Sequence, residues 1–586
     1  MRVGRLAVMA VAAGSLVAAA ACGSPSKGDG DQTDKGGQPK STLATYANSQ
    51  DPKATGPAAD VPGAKKGGTL TVLSSSKPHT FDPTRAYYLD VMSILKLVTR
   101  GLTQTKYVDG KPVLVPDLAT DLGRPSENFT RWEFTLRDGV KYEDGTPVKV
   151  EDLAWAIKRQ MATTELPDGP TYGLDYYLDG DKYKGPWVSG KDFKAVETPD
   201  DKTLIVKMRR PFPSFQYYAS LPAFTPIPEA KDTKQDYENH VLATGPYMFE
   251  KYEKSRTVVL KKNPHWDPKT DPGRHQYVDK FEFRFGLDDV TLQKRIVADK
   301  DEDQRSLTYN GLLGTVYQAM RGTEAEKRLV KGPSSCSGYM WFDVRKIPMQ
   351  VRRAISLAWD FDADNKASEE IPGITWYPST TITPSITPGW LDFDVMGTGG
   401  KGTGNPKAAR KLLKEAGKEG FELSFYYASD DNIARKVAEV RRVNLEEAGF
   451  KVKAIPAPSS QMRKLTRNSN APVNLRQTSW CIDWANPDSV LPAIIDGRKA
   501  MLPGGPVPSY LNVEPVTKEI DRIMGLPAQK ALPEWGKLDK MIMEKYLPVI
   551  PIGQGGVSLL HGSKVRNVVV DQILSMPDYT QIWVEP

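Results

Sequence analysis

The chain reads as an α/β protein of more than one domain, and three observations predict this. FELSFYYA alternates Phe421, Leu423, Phe425 and Tyr427, a helical pattern covers Asp431–Ala448, and FKVKAIP alternates again through Phe450, Val452 and Ala454. Strand, helix, strand in that order is a βαβ unit, which implies parallel pairing with a right-handed crossover. The 586 residues less the first 66 leave about 520, too many for one hydrophobic core, so two or three domains are expected. Beyond the N-terminus no run approaches the roughly 18 apolar residues of a membrane span, so the body itself does not cross a bilayer.

The N-terminus, MRVGRLAVMAVAAGSLVAAAACGS, has Arg2 and Arg5 ahead of an apolar, alanine-rich run and small residues before Cys22. This is the pattern of a secretory signal peptide over residues 1–21. The segment ending in Cys22 resembles a bacterial lipobox, in which that cysteine is acylated and becomes the mature N-terminus. Ala19 stands where a lipobox usually has Leu, and plain secretion with cleavage near Ala21 is the competing reading. Residues 22–66 are rich in Gly, Pro, Ser, Asp and Lys, with only Leu43, Tyr46 and Val61 as large apolar residues. Such a stretch cannot bury enough surface to offset chain entropy, so a disordered, lipid-anchored tether is expected.

The body opens with a strand, GTLTVLSSS, followed by a helical stretch around Leu89–Gly101. WEFTLRDGVKYEDGTPVKVEDLAWAIKRQM reads strand, Asp-Gly turns, strand, helix, with Leu153, Ile157 and Met161 on one helical face. TLIVKMRRPFP and ATGPYMFEKYEKSRTVVLKKNPHW add strands and turns. Asn405-Pro406 caps a helix that Gly417 ends.

The formal charge of +7 falls to +5 without the two arginines of residues 1–21, and acids and bases are interspersed. No basic stripe with interleaved aromatics exists, so nucleic acid is not an expected partner. His79, His240, His265, His275 and His561 show no metal-ligand spacing, and no phosphate-cradling loop or Gly-x-Ser-x-Gly elbow is present. No metal or cofactor is expected, and a secreted hydrolase remains a distant alternative. The cysteines are Cys22, Cys336 and Cys481. If Cys22 carries lipid, the other two most often pair in an exported protein, the alternative being two separate buried thiols.

SWCIDWANPDS, residues 479–489, sets one acid, Asp483, among Trp480, Cys481 and Trp484. A carboxylate among apolar rings is costly to bury unless a cation pairs with it. That cation could be an internal Lys or Arg, or a charge that arrives with a ligand; an Asx-type cap before Asn486-Pro487 is a further reading.

From Gly67 onward the chain resembles the family 5 extracellular solute-binding proteins of ABC importers, the oligopeptide- and dipeptide-binding proteins. The segments that carry the likeness are GGTLTV…TFDP, GLTQ…PDLATDL, FTLRDGVKYEDGTPVKVEDLAWAIKR, TGPYMFEKY…VVLKKNPHW, VRRAISLAWD and KAARKLLKEAG…FELSF, in that order. The resemblance implies a two-lobed, periplasmic-binding-protein-like clamshell (type II) with an extra α+β domain inserted in the first lobe. Lobe I would comprise 67–100, 235–335 and 552–586, the inserted domain 101–234, and lobe II 336–551. It implies an extracellular, lipid-anchored bacterial protein, expected to be a monomer. Such a protein takes an oligopeptide between the lobes and passes it to the permease subunits. A non-peptide solute such as an oligosaccharide is the alternative ligand.

In oligopeptide-binding members a segment Trp-Cys-x-Asp-Tyr-x-x-Pro lies in the cleft, its aspartate on the peptide's α-ammonium. Trp480, Cys481, Asp483 and Pro487 match it, and Trp484 replaces the Tyr. The resemblance further implies a Cys336–Cys481 disulfide and a peptide-contacting segment at Ser74, Ser75 and Ser76, for which a plain strand-end turn is the other reading.

Overall fold

The computed structural model describes residues 49–500 and 507–585. The signal peptide, Cys22 and the first part of the tether lie outside these. The described residues are built around one nine-stranded sheet. In chain order the strands needed here are β1 (Thr69–Leu73), β2 (Tyr247–Glu253), β3 (Thr257–Lys262), β4 (Lys280–Arg284), β5 (Ser306–Thr308), β6 (Leu329–Phe342), β7 (Glu422–Ala428), β8 (Lys451–Ala457), β9 (Leu475–Cys481) and β10 (Val549–His561). The large sheet runs β9-β6-β10-β5-β1-β4-β3-β2, with Trp376–Tyr377 added on β10. β1 lies parallel to both β4 and β5, and Leu70, Val72 and Leu73 are fully buried there.

β6 and β10 are the long members, 14 and 13 residues. They pair antiparallel from Leu329↔Leu560 to Trp341↔Val549, with register shifts between Pro333 and Ser337 and between Gly338 and Tyr339. One end of this ribbon meets β5 through β10, and the other meets β9 through β6. The boundaries expected at 335/336 and 551/552 therefore fall inside continuous strands. Where the short strand Trp376–Tyr377 crosses β10, Gly553 sits at φ 149° with the Trp376 ring occupying the space of a Cβ. Only glycine fits such a site without displacing the ring.

The βαβ unit is as the pattern predicts. β7 and β8 pair in parallel from Glu422↔Lys451 to Ala428↔Ala457. The helix Asn432–Glu447 joins them, and the Asp431 carboxylate accepts from the N–H groups of Ile433 and Ala434. Asn405 caps the helix Pro406–Glu415 by accepting from Ala408, and Gly417 leaves it at φ 62°. A four-stranded antiparallel sheet, Arg124–Ser126, Arg131–Thr135, Thr203–Lys207 and Val196–Glu197, belongs to the segment 101–234. The helix Val150–Gln160 buries Leu153 and Ile157, with Met161 buried just beyond its end.

Two local expectations differ. The second strand expected after the Asp-Gly turns is reduced to a single bridge between Lys141 and Pro147, because Asp144-Gly145 turns the chain at once and Pro147 has no N–H to extend a ladder. The expectation of a disordered tether over 22–66 does not hold from Ser49 onward. Residues from Ser49 lie on the body, with Leu114 donating to the Ser49 carbonyl, Asp51 donating to the Leu114 carbonyl, and Val61 donating to the Tyr277 hydroxyl. This attachment is mostly backbone, so a side-chain composition argument does not register it.

Cys336 and Cys481 stand opposite each other on β6 and β9 and are disulfide-bonded across 145 residues. A closed loop of that length contributes on the order of 4–5 kcal/mol in the chain-entropy model, less where flanking strands already restrict the chain. Reduction is expected to lower the denaturant midpoint of the exported protein while leaving its far-ultraviolet circular dichroism intact. An unchanged midpoint would show that the β6–β9 ladder alone holds this edge.

Candidate functional site

Asp483 follows β9 directly, so the disulfide at Cys481 anchors the start of its loop. The rest of the loop is tied to itself. Asn486 Oδ1 accepts from the Asp488 N–H at 3.2 Å, Trp480 Nε1 donates to the Ser489 carbonyl at 2.9 Å, and Trp484 Nε1 donates to Asp488 at 2.7 Å. The Asx-type cap of this turn is thus made by Asn486, which leaves the Asp483 carboxylate for other contacts.

Those contacts come from two distant parts of the chain. Tyr87, just before the helix Leu89–Val98, donates to Asp483 Oδ2 at 2.7 Å. Tyr172, opening the short helix Tyr172–Tyr176, donates to the same oxygen. Among the described residues Asp483 is paired with these phenols and with no Lys, Arg or His. Burial pushes its carboxyl up to about 6, although the two phenol hydrogen bonds favour the ionised form. Burial and the neighbouring Asp483 charge hold both phenols well above the usual tyrosine range. A partly buried carboxylate with neutral donors only is poised to take an incoming cation.

Asp483 and Trp484 line a cavity that is partly open to solvent. Its other walls are Met92 and Lys96 of the first helix, Gln104 and Thr105, Ser220–Pro222, Arg274, and Asp571, Ile573 and Leu574 near the C-terminus. Lys96 is committed to Asp571 at 2.6 Å, with Asp578 at 3.9 Å. Arg274 is committed to Asp117 at 2.9 Å and Asp271 at 3.1 Å.

The other residues singled out in the sequence are placed differently. Trp484 is buried and packs on Tyr172, Phe212 and Tyr218, with ring centroids 4.9, 5.9 and 6.0 Å away, so most of its surface joins an aromatic core. Trp480 is half-buried, and neither it nor Cys481 is on the cavity wall. Ser74–Ser76 follow the end of β1, and none of them is on that wall. Ser74 Oγ accepts from the Ser76 N–H at 3.0 Å, and Ser75 Oγ donates to Asp289 at 2.9 Å while accepting from Asn310 Nδ2 at 2.7 Å. Sequence reasoning missed Tyr87, Tyr172, Lys96, Arg274 and Asp571. Only the paired tyrosines of AYYLD carry even a weak compositional signal.

Among the described residues no helix is long and apolar enough to cross a membrane. Residues 113–500 match the model of the bacterial extracellular solute-binding proteins, family 5 Middle. The probable D,D-dipeptide-binding periplasmic protein DdpA of Escherichia coli (strain K12) is 22% identical over 453 residues, 74% of this chain and 79% of that protein. The oligopeptide-binding protein OppA of Bacillus subtilis (strain 168) is 27% identical over 205 residues, 34% of this chain and 36% of that protein. The solved structure of clavulanic acid biosynthesis oligopeptide binding protein 2 superposes with a TM-score of 0.82 at 26% identity, covering 91% of this chain and 99% of that one. DppA from Helicobacter pylori, in complex with the peptide STSA, superposes at 0.69 with 18% identity, covering 89% and 99%. With two thirds of its length matched by the family model, a two-lobed α/β architecture shared with these structures and a cavity at the Asp483 loop, the chain belongs to the family 5 bacterial extracellular solute-binding proteins.

Proposed function

We propose that this protein captures oligopeptides in the cavity at Asp483 and delivers them to the permease of an ABC importer, held at the outer face of the cell membrane by lipid on Cys22. One observation carries the ligand reading: Asp483, a carboxylate with only phenol partners among the described residues, lies on the wall of a partly open cavity. An α-ammonium is the cation that fits such a group, and its charge-assisted bonds are roughly twice as strong as neutral ones. The names of the relatives, DdpA and OppA among them, point to the same ligand class. In this reading 67–100, 235–335 and 552–586 form one lobe, 101–234 an insertion in it and 336–551 the other lobe. The long β6–β10 ribbon is then the element on which they hinge, as hinge closure around a ligand requires. No catalytic role is part of the reading.

Mass spectrometry of what co-purifies with the protein, followed by titration with the identified compound, tests it directly. Peptides are the expected finding; a sugar or another amine-free solute bound in their place would overturn the ligand class. The anchor has its own test. Cys22→Ser is expected to release the protein from membranes into the medium, and wild type found equally free in the medium would leave simple secretion.

The pH dependence follows from the raised carboxyl. In the empty protein Asp483 takes up a proton near pH 6, and a bound ammonium holds it ionised. Binding must therefore expel a proton below that pH, and affinity is expected to fall about tenfold per pH unit as pH drops below about 6. Calorimetry at pH 7.5, 6 and 5 checks this, and a flat profile would remove Asp483 from the contact.

A further inference from the structure

The short helix Tyr172–Tyr176 meets one stretch of the 336–551 lobe at both of its ends. Tyr172 donates to Asp483 and packs on Trp484, ring centroids 4.9 Å apart. Three residues on, Asp175 meets Lys499 Nζ at 2.6 Å, and the Lys499 side chain is only 13% exposed. The helix itself is fixed to the 101–234 insertion. Tyr176 stacks on Phe212 at 4.2 Å, and Arg210 lies over the Tyr176 ring at 4.3 Å while bonding Asp175 at 2.8 Å. A Cβ on Gly173 would meet the Tyr177 ring at 2.8 Å and Met161 Sδ at 2.9 Å, so the helix is seated closely on its own domain. Neither Tyr172, Asp175, Arg210 nor Lys499 is on the cavity wall.

The Asp175–Lys499 pair is lopsided. Burial would push the Asp175 carboxyl up, but Lys499 and Arg210 outweigh it and hold it below the usual carboxylate range. Burial pulls the Lys499 ammonium below its usual value, and Asp175 does not make up the difference. On separation Asp175 would keep Arg210 at 2.8 Å and Arg209 at 3.4 Å, whereas Lys499 would regain water. The acid is served in either state, and the lysine tolerates enclosure only because the acid faces it. Such a pair fixes alignment at little net gain in stability.

We infer that the helix Tyr172–Tyr176 is a two-point clasp by which the inserted domain holds the 336–551 lobe shut over the cavity, with Asp175–Lys499 as its releasable point. This rests on the lobe assignment of the peptide reading and deepens it, because residues outside the cavity then set how readily the cleft opens. The clasp has a signature in the sign of its variants. Removing the acid leaves an enclosed ammonium unpaired and drives the cleft open. Replacing the ammonium with an apolar chain of similar length lifts the desolvation cost and keeps the cleft shut. A plain structural bridge would loosen alike from either side.

The test uses exported Cys22→Ser protein carrying spin labels at Lys182→Cys in the insertion and Lys518→Cys in the lobe, two exposed positions. Cys336 and Cys481 are disulfide-bonded and take no label. Double electron–electron resonance without ligand then gives the fraction of open molecules. Asp175→Asn and Lys499→Glu are each expected to raise that fraction at least threefold over the labelled parent. Lys499→Met is expected to leave it at or below the parent's, alone or combined with Asp175→Asn. Lys499→Glu leaves the inserted domain unaltered, so the comparison stands even if Asp175→Asn fails to fold. An open fraction above the parent's in Lys499→Met, or no rise in the loosening variants, would overturn the clasp. A pooled tripeptide library added to the parent should shift the distribution to the shorter distance. No shift would count against the peptide reading, while the ligand-free comparison still decides the clasp.

Discussion

Asp483→Asn is expected to weaken peptide binding by about a hundredfold or more, the roughly 3–5 kcal/mol lost when one partner of a desolvated ion pair is removed. The substitution keeps shape and volume. The asparagine carbonyl can still accept from Tyr87 and Tyr172, which both donate to one oxygen of the carboxylate. What is lost is the charge, so the effect reports on a cation that comes with the ligand. The empty protein makes the contrasting forecast. With its folded carboxyl at about 6, above the usual carboxylate value of 3.8, ionised Asp483 opposes folding at neutral pH. That opposition fades as pH falls from about 6 toward the unfolded value, because the folded state then binds the proton first. The variant should therefore melt no lower than wild type at pH 7 and lose this part of the acid-side gain. An internal salt bridge would give the reverse, a drop of several degrees in the empty protein with ligand affinity untouched. Calorimetric titration and thermal melts at pH 7 and 5 separate the two outcomes.

The residues that make this forecast possible were unevenly visible in the sequence. Asp483 was legible because a lone acid between Trp480 and Trp484 breaks the local apolar pattern, and breaks of pattern mark function more often than fold. Its partners were not. Tyr87 and Tyr172 are 396 and 311 residues away, and tyrosines in loops read as ordinary amphipathic surface. The two tryptophans look alike in the sequence but sit differently. Trp484 meets Tyr172, Phe212 and Tyr218 through a long-range packing that periodicity cannot register, whereas Trp480 is held by the Ser489 carbonyl of its own loop.

The fold was more legible than the site because its signals are local. Alternation fixed β7 and β8, the Asp431 and Asn405 caps fixed the starts of two helices, and Gly417 fixed the end of one. The helix Val150–Gln160 was read from its apolar face, yet that reading passed over Arg159, which is buried and forks onto Asp82 at 2.7 and 2.8 Å. A buried arginine looks like a solvent-facing one until the acid that meets it is known. The nine-stranded sheet was equally out of reach, since its order joins β9, β6 and β10 across some 200 residues of intervening chain.

The same blindness applies to the four-charge set behind the cavity, whose disruption is the other large effect expected. Asp117→Asn should destabilise the folded protein by about 3–5 kcal/mol. Asp117 accepts from Arg100 at 2.6 Å and from Arg274 at 2.9 Å, and its side chain has no exposure, so neither guanidinium can turn to water when it goes. Asp271 cannot compensate for both. Burial alone would push its carboxyl up, but Arg274 and Arg100 outweigh that and hold it far below the usual carboxylate range, so its charge is already fully engaged. The set also ties together segments remote in sequence, with Arg100 donating to the Thr270 carbonyl at 2.7 Å and Arg274 to the Lys96 carbonyl at 2.7 Å. Loss of Asp117 should therefore loosen the wall that carries Lys96 and Arg274 and raise ligand dissociation rates as well as lowering the melting point. A double replacement, Arg100→Met with Asp117→Leu, removes one cation and one acid together and leaves Arg274 with Asp271. It is expected to recover a large part of the loss, because the cost lies in the uncompensated buried charge rather than in the absent bond. Thermal melts of the two variants beside wild type decide the point: a double variant no more stable than Asp117→Asn would mean that packing around Arg100, and not charge balance, holds this wall in place.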